Sequence, residues 1–186
     1  MRLEASRISL IVLLKNMARR KNWDSGNIVE ISLPGGGLTY GMVVDSPRVA
    51  FFDRKFDSRP SIDEITKAPI AFQIWVMKYA IGKRHWSVIG DSEVPAGIMS
   101  ADRFFKRDSI SGKFSIYEGA GIETPATYDE DVDLECAAVW DPEHVESRLD
   151  DHYAGVENLW VKSLAPKNPQ AEQAGGGQAA TRSESI

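Results

Sequence analysis

Residues 26–53 read Gly26-Asn-Ile-Val-Glu-Ile-Ser-Leu-Pro-Gly-Gly-Gly-Leu-Thr-Tyr-Gly-Met-Val-Val-Asp-Ser-Pro-Arg-Val-Ala-Phe-Phe-Asp53. Ile28, Glu30 and Ser32 alternate with Val29, Ile31 and Leu33, the period of an extended strand. Pro34 and Gly35 to Gly37 cannot continue that strand and supply the positive φ a reversal needs. Leu38 to Val44 resumes the extended pattern, Ser46-Pro47 turns it, and Val49 to Phe52 is a third, more apolar strand. The segment predicts the opening of a small curled antiparallel sheet. It contains no catalytic group, so it reads as a scaffold and binding surface.

Outward from it, Ser61-Ile-Asp-Glu64 has the spacing of a capping box opening a short helix to Ala68. Ile70 to Ile81 is rich in β-branched and aromatic residues, and the alternation of Ile70, Phe72, Ile74 and Val76 favours a long central strand. His85 to Gly90, Phe104 to Arg107 and Lys113 to Glu118 are further strands, the last two joined across Ser111-Gly112. Asp141 and Pro142 open a helix with a cap and a proline where its missing N–H costs nothing. Val145, Leu149 and Tyr153 form its apolar stripe, and Gly155 ends it. Leu159-Trp160-Val161 and Leu164 are expected to fold back onto the core. The fold class is α+β and mainly β: a curled antiparallel sheet or partly open small barrel with a C-terminal helix.

The 186 residues suit a single domain over 22–164 with a core that needs no disulfide. Ile8 to Leu14 is too short to span a bilayer, and Lys15, Arg19, Arg20 and Lys21 follow it where a cleavage site would stand. Residues 1–21 therefore read as an extension, either an over-called start with translation beginning at Met17 or an amphipathic helix packed on the domain. Residues 165–186, built of Pro, Gln, Ala, Gly and Ser without periodic apolar positions, read as a disordered tail. The single cysteine, Cys136, lies in an apolar run and reads as a buried, inert thiol in a cytoplasmic protein.

Charge is divided unevenly. Residues 1–117 hold 18 Lys and Arg against 12 Asp and Glu, whereas residues 118–157 hold 13 acidic residues against Arg148 alone. Such a segment steers cationic partners and repels nucleic acid. The partner-binding candidates are Asp129, Glu130, Asp131 and Asp133 in a loop and Glu143, Glu146, Asp150 and Asp151 on the helix. The competing reading is a solvated acidic surface without a partner. Aromatic anchor candidates are Tyr40, Trp75, Trp86 and Tyr117; core is the alternative reading for any of the four and the better one for both tryptophans.

Reactive patterns are missing. Gly35 to Gly37 lacks the Gly-Lys-Ser/Thr of a phosphate loop and joins two strands. No cysteine pair or His-Glu-x-x-His spacing offers a metal site, and His144 and His152, eight apart, are too distant for one ion. Asp129, Asp131 and Asp133 alternate as in a calcium loop but lack its glycine and distal glutamate. No cofactor is expected. Asp53, Arg54, Lys55 and Arg59, with Phe52 and Phe56, are the sole offer of a nucleic-acid or ribonuclease site.

Four elements together resemble the immunity protein 26 family: Gly26 to Leu33, Gly37 to Val43, Val49 to Asp53 and Trp86-Ser-Val-Ile-Gly90. That family typically opens Gly-Asp-x-hydrophobic-x-Ile-Pro-Leu; here Asn27 replaces Asp and Ser32 replaces Pro. The resemblance spans roughly residues 22–120. It implies a bacterial protein, encoded beside a polymorphic toxin, that neutralises the toxin by binding it. No catalytic residue accompanies it. A basic, nuclease-like toxin would suit the acidic segment, whereas a small-barrel nucleic-acid binder or ribonuclease of the plasmid-maintenance type is the alternative. Sequence does not decide the oligomeric state.

Overall fold

The computed structural model describes residues 22–100, 103–118, 121–131 and 133–168. The expected N-terminal extension and nearly all of the expected tail lie outside the described residues. Strands β1 (Asn27–Ser32), β2 (Leu38–Asp45) and β3 (Arg48–Phe52) form the expected antiparallel meander. Ile31 faces Thr39 and Val29 faces Gly41 across the first hairpin. Its reversal uses Gly36 and Gly37 at φ of 88° and 86°, where a side chain would be strained.

Helix α1 (Ile62–Ile65) is a single turn that ends before the expected Ala68. Ser61 caps it by accepting from the Glu64 amide, but the Glu64 carboxylate turns to Arg54 at 2.8 Å, so only half of the capping box forms. Strand β4 (Ile70–Val76) also stops early, because a 3-10 turn over Lys78–Ala80 follows it. Strand β5 (Ser87–Asp91) pairs with β1 and, with β10 (Val139–Trp140) at the far edge, completes the order β10-β4-β3-β2-β1-β5. Helix α2 (Ala96–Met99) leads to a second sheet of β6 (Phe104–Arg107), β7 (Phe114–Tyr117), β8 (Glu123–Ala126) and β9 (Glu135–Cys136), in the order β8-β7-β6-β9. Helix α3 (Tyr128–Asp131) links β8 to β9.

The apolar run from Leu134 to Trp140 serves both sheets. Its first half, β9, pairs parallel to β6, and its second half, β10 (Val139–Trp140), pairs parallel to β4. Both sheets are thus mixed, and neither closes into a barrel, as expected for a curled sheet. Trp75, on the face of β4 opposite Ile74, joins the sheets by packing 4.7 Å from the Phe104 ring and 5.2 Å from Tyr117.

Helix α4 (Pro142–Ala154) covers one face of the main sheet and is bounded as expected, by the Asp141 cap and by left-handed Gly155. Under it lie Val29, Ile31, Val43, Val49, Phe51, Phe72, Ile74 and Trp86. Ile28, Tyr40, Met42, Phe52 and Ile65 form a second cluster, with Ile62 packed against it. A central sheet covered on both sides buries both halves of the strand alternation. Helix α5 (Leu159–Leu164) follows, capped by Asn158.

Candidate partner-binding surface

Helix α4 shows how the acidic segment is used. Its inward face carries Val145, Arg148 and Leu149, all buried. Arg148 donates to Glu135, with Nη1 3.0 Å from Oε2, and lies 3.7 Å from the Phe72 ring centre. Around the rest of the helix, most carboxylates have tasks within the chain. Glu146 accepts from the Trp86 indole N–H at 2.9 Å. Asp150 accepts from the Gly35 amide at 2.5 Å and stands 3.9 Å from Lys55 Nζ, so it clasps the first hairpin turn. Asp151 accepts from Asn158 Nδ2 at 2.8 Å and so fixes the cap of α5. Asp141 accepts from Tyr79, and that bond, with the Glu143 amide and nearby His144 and His85, holds its carboxyl below the usual range.

Glu143, Asp129 and Asp133 are exposed, and their carboxylates have no hydrogen bond or ion pair among the described residues. Glu130 and Asp131 belong to α3, beside Asp129. The eight acidic candidates therefore divide: three are free, Glu146, Asp150 and Asp151 are internal fasteners, and two lie on α3.

The aromatic candidates divide too. Tyr40 is a correction: none of its surface is exposed, so it cannot meet a partner. It sits in the second cluster edge-on to Phe56, 5.6 Å away, and donates to Glu30 at 3.2 Å. Burial, with the Glu30 charge, pushes its hydroxyl up to about 12. Tyr117 is half-buried against Trp75, and Trp86 is core. Leu159 and Trp160, expected to fold inward, are instead 69 % and 38 % exposed. Helical spacing explains Leu159: Val161 and Leu164, three apart, share the face that packs on the core, and Leu159 lies opposite, whereas Trp160 sits at the edge of that face against His144. The inward expectation treated Leu159 to Leu164 as a block, whereas the 3.6-residue period separates its two sides.

The basic cluster is internally neutralised. Arg54 pairs with Glu64 at 2.8 Å, and Arg59 grips Glu30 through two bonds of 2.5 and 2.6 Å. Lys55 faces Asp150, and Asp53 meets His152 Nε2 at 2.7 Å. No open row of cations remains here to follow a phosphate backbone. Cys136 is half-buried rather than buried, and desolvation, then the Glu135 charge, pushes its thiol up, away from the nucleophilic form. Among the described residues no group of three or more His, Cys, Asp and Glu could hold a metal ion. Among them, too, no helix is long and apolar enough to cross a membrane.

The family model described as Immunity protein 26 matches residues 24–116. That span runs from the turn before β1 to the third residue of β7, and so contains the main sheet except β10. Neither a curated protein nor a solved structure matches the chain.

Proposed function

Because the chain belongs to the immunity protein 26 family, we propose that it acts in the cytoplasm by binding a cognate bacterial toxin and blocking it sterically and electrostatically, with no chemistry of its own. The toxin is basic, in the manner of a nuclease. Its contacts fall on Asp129, Glu130, Asp131, Asp133 and Glu143, with Tyr117 near the second sheet, while Glu146, Asp150 and Asp151 hold the surface in shape. One observation carries this reading over the ribonuclease alternative. Each cation of the 54–59 cluster faces a carboxylate, whereas the exposed Asp129, Asp133 and Glu143 of the acidic segment face no cation among the described residues. Occlusion requires only an ordinary interface, about 1,200–2,000 Å² in total.

The test is co-purification of the chain with the product of the neighbouring toxin gene, followed by association kinetics across ionic strength. Reversing Asp129, Asp133 and Glu143 to lysine should slow association and flatten its salt dependence. Toxicity of this chain expressed alone, or turnover of RNA by it, would favour the alternative instead.

A further inference from the structure

Helix α5 has two unlike sides. Val161 and Leu164 pack on the main core, while Leu159 faces water and Trp160 keeps 38 % of its surface exposed; Val156, in the link from α4, is 56 % exposed. Neighbouring exposed apolar side chains on a defined element mark an interaction site more often than chance. This helix is also fastened. Asn158, only 6 % exposed, accepts from the Trp160 and Val161 amides at 3.0 and 3.1 Å and donates to Asp151. The Trp160 ring stacks on His144 with centres 3.6 Å apart and planes at 23°. A ring held this way loses little freedom when a partner covers it.

The stretch of chain that carries it is acidic. Residues 129–165 contain 11 acidic side chains against Arg148 and Lys162. Both cations are engaged, Arg148 by Glu135 and Lys162 by Glu157 at 2.9 Å. Glu143 precedes the histidine on which Trp160 stacks, and Asp133 lines a small cavity together with Val161 and Leu164 at the other end of α5. Glu143 is thus the chain neighbour of the residue under Trp160, and Asp133 shares a cavity with the inward side of α5, so two free carboxylates are available to rim an apolar anchor.

We propose that Leu159 and Trp160 are the apolar anchors on which a basic protein toxin docks, its Arg or Lys side chains meeting Glu143 and Asp133. This rests on the toxin-binding reading above and gives it a centre.

The experiment uses the full chain and the inactivated toxin domain encoded beside it, with dissociation constants and rates from biolayer interferometry. Trp160→Ala should weaken binding at least about 30-fold, mainly through faster dissociation. Leu159→Ser is the second variant; at 69 % exposure its loss should leave the thermal midpoint unchanged. Glu143→Lys should slow association about tenfold at low salt. Ile110→Ala, at a side chain 96 % exposed on the β6–β7 turn, should bind as the unmodified chain does. If the unmodified chain binds and both anchor variants bind equally well, the site is wrong while the function stands. If the unmodified chain does not bind, the function fails and this site with it. A dimer of the chain that Trp160→Ala dissociates would assign the strip to a second copy and overturn the proposal.

Discussion

Arg148→Ala should be among the most destabilising single substitutions on α4, although arginine is ordinarily a surface residue. The residue is 8 % exposed, and its guanidinium bridges to Glu135 on β9 through two hydrogen bonds and lies 3.7 Å from the Phe72 ring centre and 5.0 Å from that of Trp140. One side chain thereby ties α4 to both sheets. The bidentate charged pair contributes about 2 kcal/mol, the lower end for a buried pair because the Glu135 side chain is 30 % exposed. Packing over two rings adds about 1 kcal/mol. A loss of about 3 kcal/mol corresponds to a fall of roughly 6–12 °C in Tm for a chain of this size. Arg148→Lys keeps the charge but neither the fork nor the stacking, and should lose about 1–2 kcal/mol. Urea unfolding followed by tryptophan fluorescence, with Glu135→Gln completing a double-mutant cycle, measures each step. If Arg148→Ala lies within about 0.5 kcal/mol of the unmodified chain, as a solvated surface residue would, the reasoning is refuted.

Gly41→Ala should cost about 1–3 kcal/mol, because an added Cβ would stand 2.8 Å from Val49 Cγ1 and 3.2 Å from Val29 Cγ2; an unchanged denaturation midpoint would show that the sheet yields there. Tyr40, pushed up to about 12, favours folding below the ordinary tyrosine value of 10 and loses that contribution as pH rises through the folded value. Absorbance titration of the phenolates should therefore show one group, absent in Tyr40→Phe, ionising only above the others. Glu30 is shifted the other way, chiefly by its hydrogen bond from Arg59, so its contribution is present above the ordinary carboxylate range and is lost as pH falls through the lowered value. Arg59→Gln should flatten the acid side of the stability profile, and an identical profile in that variant would refute the assignment.

What the sequence made legible follows from local physics. The β1–β2 hairpin was readable because alternation, a proline and three glycines all specify a reversal at one place. Helix α4 was readable because Asp141, Pro142 and Gly155 mark both ends. Less local features escaped. A two-residue strand such as β10 has too few positions to show a period, and its parallel partner β4 lies more than 60 residues earlier. Tyr40 stayed open between anchor and core because alternation says which residues share a face, not whether that face is covered. Here α1 and its neighbours cover it. Of the binding surface, the charge was countable but its allocation was not, since Asp150 reaches Gly35 across 115 positions of sequence.

That allocation changes what the acidic segment can do. Counted along the chain, residues 118–157 carry thirteen acidic groups against one cation. Folding then brings cations from the earlier part against them: Arg103 to Glu118, Lys106 to Glu123 and Lys55 to Asp150. At physiological ionic strength charges are screened beyond about 8 Å, so a partner arriving at this flank meets local balance rather than the sum over the segment. Groups with a cation alongside contribute little to that balance, and those without one contribute more, the exposed Asp129, Asp133 and Glu143 among them. Equal charge reversals should therefore have unequal effects. Glu143→Lys should alter association while costing no more than about 1 kcal/mol as a cation in the first turn of α4, whereas Asp150→Lys should first release the Gly35 turn and lower the unfolding midpoint further. Equal kinetic effects from both, with neither midpoint changed, would mean that the whole flank acts as a diffuse field and that no part of it is a defined contact.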